Sequence, residues 1–443
     1  MKSKSLSLGA LVLFVGGGVL LSGNTSNVKA ESILNKPVNS VKPYIQIRPR
    51  YEYVHTSNSP SVKDAKALTT RIKVGVKLNG IFQVNGLNAV LEGVDVEALV
   101  DDYDKSLSHT DTIGKNNYET VLDPDNARLT QAYISYTINK TTLFFGRKYV
   151  AIDDHRFIGT VDWRQMPQSF GVVGIQDNTI NGLNILIAGI YERKGIIDNL
   201  NTDWKADKMP IIIDVSYKII PAVRVKAFGY LITDIHNTYG VKADGKVDLG
   251  NGLKFSYLGE YAVQRDPYKT QRKAKKPDID TNYYRVAGNL AFSTGNIGTF
   301  FGGIEYTYFG DKNNKSQGFS TPLATLHKFE GWSDVLLKGA ANGYDFGMKE
   351  LKVSFGYKHP VFGKFIVAYL DFQSDKNPNG TAGVNGDNVG SEWDFAYAKS
   401  FGKHLSLLLK GAVYNGKDGY ISGGKAYGKN DTTKYWVQLN FVY

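Results

Sequence analysis

The stretch that decides the fold is Tyr435-Trp-Val-Gln-Leu-Asn-Phe-Val-Tyr443, at the end of the sequence. Successive side chains of an extended strand point to opposite faces, so alternate residues share one face. One face carries Tyr435, Val437, Leu439, Phe441 and Tyr443. An apolar aromatic strand at this position is typical of a barrel, because the last strand pairs with the first and leaves no free edge. The pattern predicts a transmembrane antiparallel β-barrel that exposes the odd-numbered side chains to lipid.

The beginning of the sequence has the features of an export signal. Lys2 and Lys4 precede an apolar run from Leu6 to Leu21, and Val28-Lys-Ala30 is a small-x-small cleavage site. An uncleaved helix is the alternative, but the apolar run is short for a membrane span. We therefore expect residues 1–30 to be a removable secretory signal.

The remaining sequence has the composition of an exported β-barrel. It contains no cysteine, so neither disulfides nor thiolate metal sites are available. No later stretch approaches 18 consecutive apolar residues, so only a closed barrel of strands would cross a membrane. A soluble array of β-sandwiches has a similar composition and stays an alternative at this level. We expect residues 31–43 to be a periplasmic leader and 44–443 to form a single transmembrane β-barrel domain.

Alternating apolar and polar residues predict about 18 strands in the barrel domain. Short connections, such as 139–141, alternate with long ones, such as 101–126, 150–169 and 309–348. A sandwich has no reason to segregate loop length in this way, whereas outer-membrane barrels do. The expected fold is therefore all-β, in the outer membrane of a Gram-negative bacterium, with short periplasmic turns and long extracellular loops. In the third strand, Glu92 is out of phase with Asp95, which predicts a bulge near Gly93.

Charged residues in the middle of the strands are expected to point into the lumen, because the other face meets lipid. A barrel of this size holds a water-filled channel, so these side chains are expected to stay solvated. The phase of the pattern assigns the following residues to the interior: Arg48, Arg50, Glu52, Arg71, Lys73, Lys77, Arg224, Lys226, Lys254, Glu260, Arg285, Glu305, Lys352, Asp371, Glu392, Asp394 and Lys410. The cations concentrate on the first two strands, which favours an anion-attracting wall. The alternative for each residue is a cross-lumen ion-pair network that fixes the barrel shape.

Other site chemistries have little support. The seven histidines are scattered, and there is no HExxH, GxSxG or P-loop motif, so we predict no catalytic residue, metal site or cofactor. Asp101-Asp-Tyr-Asp104 and Asp123-Pro-Asp-Asn126 offer oxygen ligands of the kind that Ca²⁺ prefers, although solvated acidic loops are the simpler interpretation. The basic run Arg272-Lys-Ala-Lys-Lys276 lies in an expected external loop, where it would meet lipopolysaccharide rather than nucleic acid.

Phe319-Ser-Thr-Pro-Leu-Ala-Thr-Leu-His-Lys-Phe-Glu-Gly-Trp332 resembles the signature segment of alginate-export outer-membrane proteins. Further stretches are similar to the same family: Asp334, Ala341-Asn-Gly343, Arg48-Pro-Arg-Tyr-Glu52, Leu91-Glu-Gly-Val-Asp95, Gly146-Arg147, His155-Arg-Phe-Ile-Gly159 and Trp163-Arg-Gln165. The resemblance implies an 18-stranded monomeric barrel with a cationic constriction that conducts an anionic polyuronate. Matched by motif, the cationic constriction comprises Arg48, Arg50, Arg71, Arg147 and Arg164, with Glu92 and Asp95 as acidic counterweights. Arginine suits this role because its planar guanidinium binds carboxylates bidentately and keeps its charge.

The connection 309–348 carries many apolar and aromatic side chains, which would be costly on a freely solvated loop. We expect it to fold into or over the lumen and to narrow the pore. The candidate gating residues are Thr321, Pro322, Leu323, His327, Phe329 and Trp332. Packing against the barrel rim or against a neighbouring protein is the alternative.

These observations favour a passive outer-membrane channel for anionic solutes or an anionic polysaccharide. The alternatives are a general porin with little selectivity, a structural barrel with a plugged lumen, and a barrel enzyme built around His155, Asp153 and Asp154, for which no persuasive nucleophile is present. The expected partners are outer-membrane lipids and lipopolysaccharide, the barrel-assembly machinery through the C-terminal strand, and anionic solutes or polyuronate. We expect a monomer that binds no nucleic acid.

Overall fold

The structure is a computed structural model that describes residues 38–57, 62–106, 117–267 and 278–443. The predicted signal (1–30), residues 31–37 of the predicted leader and the basic run 272–276 lie outside the described residues.

Eighteen long strands of the described residues form a closed antiparallel barrel, as predicted. Each strand pairs with its neighbours in sequence, and β1 also pairs with β18, where Tyr53 lies opposite Tyr435. The strands are β1 (Ser40–Thr56), β2 (Ala65–Asn79), β3 (Leu87–Asp102), β4 (Asn126–Ile138), β5 (Thr141–Lys148), β6 (Ser169–Asp177), β7 (Leu183–Lys194), β8 (Ile211–Ile220), β9 (Val223–Ile232), β10 (His236–Gly250), β11 (Leu253–Arg265), β12 (Asp280–Ser293), β13 (Thr299–Phe309), β14 (Met348–His359), β15 (Gly363–Gln373), β16 (Asn388–Phe401), β17 (Leu405–Gly416) and β18 (Thr432–Val442).

Short elements lie in the connections. The one α-helix of the described residues is α1 (Leu337–Asn342). The short strands are Thr202–Asp203, Tyr420–Ser422 and Lys425–Tyr427, and the 3₁₀ turns are Ile81–Gln83, Asp198–Leu200, Ala206–Lys208, Gly295–Ile297, Leu326–Lys328 and Thr381–Gly383. Within the described ranges, no helix has the length and apolar character needed to cross a membrane.

The two ends of the barrel differ. The end that carries Ser40 and the C-terminal Tyr443 has only short connections in the described residues, and we call it the turn end; the other is the loop end. One loop-end connection is itself short, because β9 ends at Ile232 and β10 begins at His236. There Ile235 donates a backbone hydrogen bond to Ile232, and Asp234 adopts a left-handed conformation with a φ of 65° that permits a tight turn.

The predicted faces of the closing strand are correct. Tyr435, Val437, Leu439 and Phe441 are exposed on the outer face, whereas Trp436 is buried inside the barrel. The predicted irregularity near Gly93 is also present, since the register between β3 and β4 shifts between Glu92 and Gly93. The unpaired residue is Thr130 of β4, so β3 itself keeps its alternation.

Candidate functional site

Two loop-end connections fold into the barrel and meet there. Inner segment 1 comprises residues 149–168, between β5 and β6, and inner segment 2 comprises residues 310–347, between β13 and β14. Ile158 and Leu323 form an isolated bridge between them, and Gly159 donates a backbone hydrogen bond of 2.9 Å to Leu323. The inward position predicted for 309–348 is therefore observed, and inner segment 1 joins it.

The first two strands hold inner segment 1 against the barrel wall. Arg48 donates to the carbonyl oxygens of residues 162–164, at distances of 2.9, 3.4 and 2.5 Å. Its Nε donates to Gln165 Oε1 at 2.9 Å. Arg71, the register partner of Arg48, donates to Asp162 Oδ1 at 2.7 Å. The guanidinium of Arg48 has several N–H donors in one plane, so it can donate hydrogen bonds to all three carbonyl groups of this turn. Without it, these carbonyl groups would lack a partner inside the barrel.

A buried ion cluster lies further towards the loop end. Arg50 pairs with Asp123, and Arg164 pairs with Glu52 at 3.0 Å and with Asp334 at 2.6 Å. Burial alone would raise the pKa of Asp123, but Arg50 and Arg164 hold it below its ordinary value, so the carboxylate is charged. Asp123 is thus a fixed ion-pair partner rather than part of a solvated acidic loop.

An aromatic layer lies beside this cluster. The rings of Trp163 and His327 stack at a centroid distance of 4.6 Å. Lys410 Nζ lies 4.0 Å from the centre of the Trp163 ring and 3.7 Å from that of Trp332, which is cation–π geometry. Inner segments 1 and 2 therefore meet around one lysine of the barrel wall.

His327 links Lys410 to Asp334. Burial, reinforced by Lys410, lowers the pKa of His327 to about 3, so the imidazole is neutral at neutral pH. Lys410 Nζ lies 2.5 Å from Nε2, and Nδ1 lies 2.6 Å from Asp334 Oδ1. An ammonium group only donates, so Nε2 accepts from Lys410 and Nδ1 donates to Asp334.

Two cavities approach this layer from opposite ends. The turn-end cavity has a volume of about 610 Å³ and reaches Arg48 and Asp162. The loop-end cavity has a volume of about 220 Å³ and reaches Arg164 and Asp334. Along β1, the fully buried Arg50 lies between the residues that line the two cavities. We call the layer formed by Arg50, Trp163, His327, Lys410 and Trp332 the septum.

The part of inner segment 1 that includes Asp153 and Asp154 is bound by the far wall of the barrel, by which we mean strands β9 to β12. Asp153 pairs with Arg224 at 2.9 Å and Lys226 at 2.7 Å, while Asp154 pairs with Arg285 at 2.6 Å. Burial alone would raise the pKa of Asp153, but Lys226, Lys242 and Arg224 lower it strongly. These carboxylates are therefore committed to ion pairs, and His155 instead has its Nδ1 3.4 Å from the Thr325 hydroxyl.

A further buried pair joins the two inner segments. Arg156 donates to Glu330 at 2.6 Å, and Arg156 Nε donates to the Tyr283 hydroxyl at 3.0 Å. The rings of Phe309 and Phe329 cover the guanidinium at 4.9 and 4.7 Å. This pair locks inner segments 1 and 2 into one unit. Within the described ranges, no group of three or more His, Asp or Glu side chains is arranged to hold a metal ion.

Solved structures share this fold at low sequence identity. The crystal structure of Acinetobacter baumannii OccAB3 superposes with a TM-score of 0.65 at 14% identity, covering 92% of this chain and 100% of that one. Pseudomonas aeruginosa OccK8 (OprE) gives 0.63 at 14%, covering 92% and 98%, and A. baumannii OccAB2 gives 0.64 at 15%, covering 91% and 98%. No protein-family model and no curated protein matches the sequence. The likeness thus establishes the fold.

The structure brings most of the predicted interior residues together. Near the septum and the turn-end cavity lie Arg48, Arg50, Arg71, Lys73, Glu92, Arg164 and Lys410. Arg224, Lys226 and Arg285 lie on the far wall. The candidate gating residues Thr321, Leu323, His327 and Phe329 are buried, and Pro322 and Trp332 are half-buried. Their role as a gate stays a prediction.

Three predicted residues lie on the other face of their strands. Arg147 alternates with the inward Phe144 and shares the face of the exposed Phe145, where it pairs with Glu192 at 2.8 Å. Asp95 lies between Val94 and Val96, which pack on Met166 inside the barrel. Asp371 lies between the buried Leu370 and Phe372. None of the three can line the lumen, because neighbouring side chains of a strand point to opposite faces.

The expectation that the lumen charges stay solvated is wrong for the arginines beneath the inner segments, whereas the Lys254 side chain is 45% exposed. Arg50, Arg71 and Arg285 are at most 1% exposed, because the inner segments cover them. The pattern of the strands contains no signal for the partners Asp123 and Asp162, which come from connections. The sequence signals near them are the acidic run Asp123-Pro-Asp-Asn126 and the stretch Trp163-Arg-Gln165, which follows Asp162 and resembles the alginate-export family.

Proposed function

We propose that this protein is a passive channel of a Gram-negative outer membrane that conducts anionic solutes or an anionic polysaccharide. The observation that carries the proposal is the charge of the turn-end cavity. Its lining includes Arg48, Lys358 and Lys364 on the inner faces of their strands, and among its described lining residues Asp162 has the one carboxylate. A cationic cavity between low-dielectric walls concentrates anions.

The fold supports the same proposal. The structures compared above are of outer-membrane channels. Here too, the outer face of the closing strand is apolar and aromatic, which suits contact with lipid. In this proposal the turn end faces the periplasm, the loop end meets lipopolysaccharide, the closing strand engages the barrel-assembly machinery, and the chain acts as a monomer.

The cargo is tested with the barrel refolded into a planar bilayer. A polyuronate and a neutral glucan are added in turn, and block of the current is measured. We expect block by the polyuronate alone, because only the polyanion is attracted by Arg48 and its neighbours. A conductance indifferent to both polymers would indicate a general porin instead.

A structural barrel with a plugged lumen is the second candidate, and the septum favours it. Arg50, Lys410 and the stacked Trp163 and His327 fill the space between the two cavities. If the septum is permanent, the refolded barrel will not conduct. The conducting proposal requires that inner segment 2 move, and the deletion described below tests that motion.

A further inference from the structure

Asp162 differs from the other carboxylates that hold the inner segments. Its side chain is 51% exposed, whereas its partner Arg71 is fully buried. It faces the turn-end cavity, and Arg71 Nη1 donates to it at 2.7 Å. Lys73 Nζ lies 3.9 Å from the same oxygen atom. A half-exposed carboxylate above buried cations is in the position that a dissolved carboxylate would take on entering the cavity.

The cations beneath Asp162 outnumber the carboxylates. Arg48, Arg71 and Lys73 lie together on β1 and β2, and among the described residues the other carboxylate within 4 Å of these cations is Glu92, at 3.7 Å from Lys73. Although burial alone would raise the pKa of Asp162, Arg71, Arg48 and Lys73 lower it, so the carboxylate is charged at neutral pH. A net positive charge remains even with Asp162 in place.

The backbone of this turn is held without the Asp162 side chain. Arg48 binds the carbonyl oxygens of residues 162–164, and Val161 N donates to the Thr325 hydroxyl at 3.1 Å. Arg71 Nε has no hydrogen-bond partner among the described residues. The Asp162 side chain can therefore rotate away while the backbone stays. Arg71 keeps its bonds to Gln46 Oε1 at 2.6 Å and to the Gln165 carbonyl oxygen at 3.3 Å, but Arg71 and Lys73 then lack the carboxylate that a second carboxylate would replace.

We propose that Arg71 and Lys73, with Arg48, form a binding site for one solute carboxylate, and that Asp162 occupies this site as a tethered competitor when no solute is bound. The inference rests on the proposed function, since the solute must enter the turn-end cavity. Competition from Asp162 lowers the affinity of the site for the solute, so that the solute can leave again, as conduction requires. A tethered group competes at a high effective concentration, so its removal strengthens solute binding.

The test measures the affinity of the refolded barrel for glucuronate, from block of the ionic current, with glucose as the neutral control. Asp162→Asn removes the competing charge and keeps the size of the side chain. We expect it to bind glucuronate at least about tenfold more tightly than the wild type at low salt. The matched control is Asp154→Asn, in the same segment, which should show no gain. Adding Arg71→Gln to Asp162→Asn should abolish the gain.

The inference is overturned if Asp162→Asn binds glucuronate no more tightly than Asp154→Asn does. The channel proposal stays intact in that case if the wild type still prefers anions. Absence of glucuronate block in every variant, with cation selectivity in the wild type, refutes the channel proposal itself. Folding of each variant is checked by heat-dependent gel mobility. If Asp162→Asn does not fold, Asp162→Ser is measured against the same criteria. Failure of both variants to fold also overturns the inference, because the turn would then depend on the carboxylate.

Discussion

Removal of Arg156 tests whether the two inner segments are locked together by a buried ion pair. Arg156→Met leaves Glu330 buried without its partner at 2.6 Å and removes the cation from between Phe309 and Phe329. Loss of one partner of a buried pair costs about 3–5 kcal/mol. Arg156 and Glu330 are both at most 1% exposed, so we expect the free energy of unfolding to fall by about this amount.

The loss of stability in Arg156→Met should depend on pH, and the ionisation of Glu330 decides whether it grows or shrinks as the pH rises. Burial raises the pKa of Glu330 above its ordinary value, and Arg156, which opposes this rise, is absent in the variant. The folded variant then binds a proton that the unfolded chain releases above about pH 4.3. Stability therefore decreases as the pH rises from that value towards the raised pKa. The variant should be closest to the wild type in acid.

Urea unfolding followed by tryptophan fluorescence, at pH 4 and pH 8, measures both effects. Arg156→Met combined with Glu330→Leu should recover most of the loss, because replacing both partners removes the unpaired buried charge. Arg265→Met, which breaks the exposed pair with Asp280, is the control and should have little effect. A loss below about 1 kcal/mol for Arg156→Met, additive with that of Glu330→Leu, would refute the reasoning.

Three further predictions concern the septum and its ion cluster. Asp123→Asn should lower the free energy of unfolding, measured in urea titrations, by about 3–5 kcal/mol at pH 7 and by less at pH 3. The pKa of Asp123 is lower in the folded protein than in the unfolded chain. The carboxylate therefore stabilises the fold above its unfolded pKa, and this stabilisation is lost as the pH falls through its folded pKa. Trp332→Ala should raise single-channel conductance by releasing Lys410, whereas Trp393→Ala on the outer face should not. Deleting 321–332 should raise conductance further, and unchanged conductance would contradict gating by inner segment 2.

The sequence was most informative where one face of a strand meets lipid. The alternation in β18 predicts that Tyr435 and Leu439 face outward, because successive side chains of a strand point to opposite faces. The apolar aromatic character of the same strand predicts that it pairs with β1, as it does. The same rule failed for Asp371. The inner face of β15 is apolar at Leu370 and Phe372, which belong to the same buried apolar cluster as Leu336 of inner segment 2, so an apolar face there does not mean lipid.

The other errors have local causes. Asp95 is placed beside the constriction by resemblance to a motif. A bulge in β3 near Gly93 would bring Asp95 to the face of Glu92, but the unpaired residue is Thr130 of β4. Arg147 was assigned by resemblance to a motif, against the alternation with Phe144. The ion-pair roles of Asp123 and Asp162 are not predictable from strand periodicity, because they depend on how two connections fold in three dimensions.

The central claim is that the cationic wall of β1 and β2 selects anions. The reversal potential of the refolded barrel under a KCl gradient tests it most directly, with Arg48→Gln and Arg71→Gln measured beside the wild type. We predict a chloride-selective potential for the wild type that moves towards zero in each variant, because Arg48 lines the turn-end cavity, Arg71 lies directly beneath its Asp162, and each variant loses one of these positive charges. A cation-selective wild type, or a potential that neither substitution changes, would contradict the account.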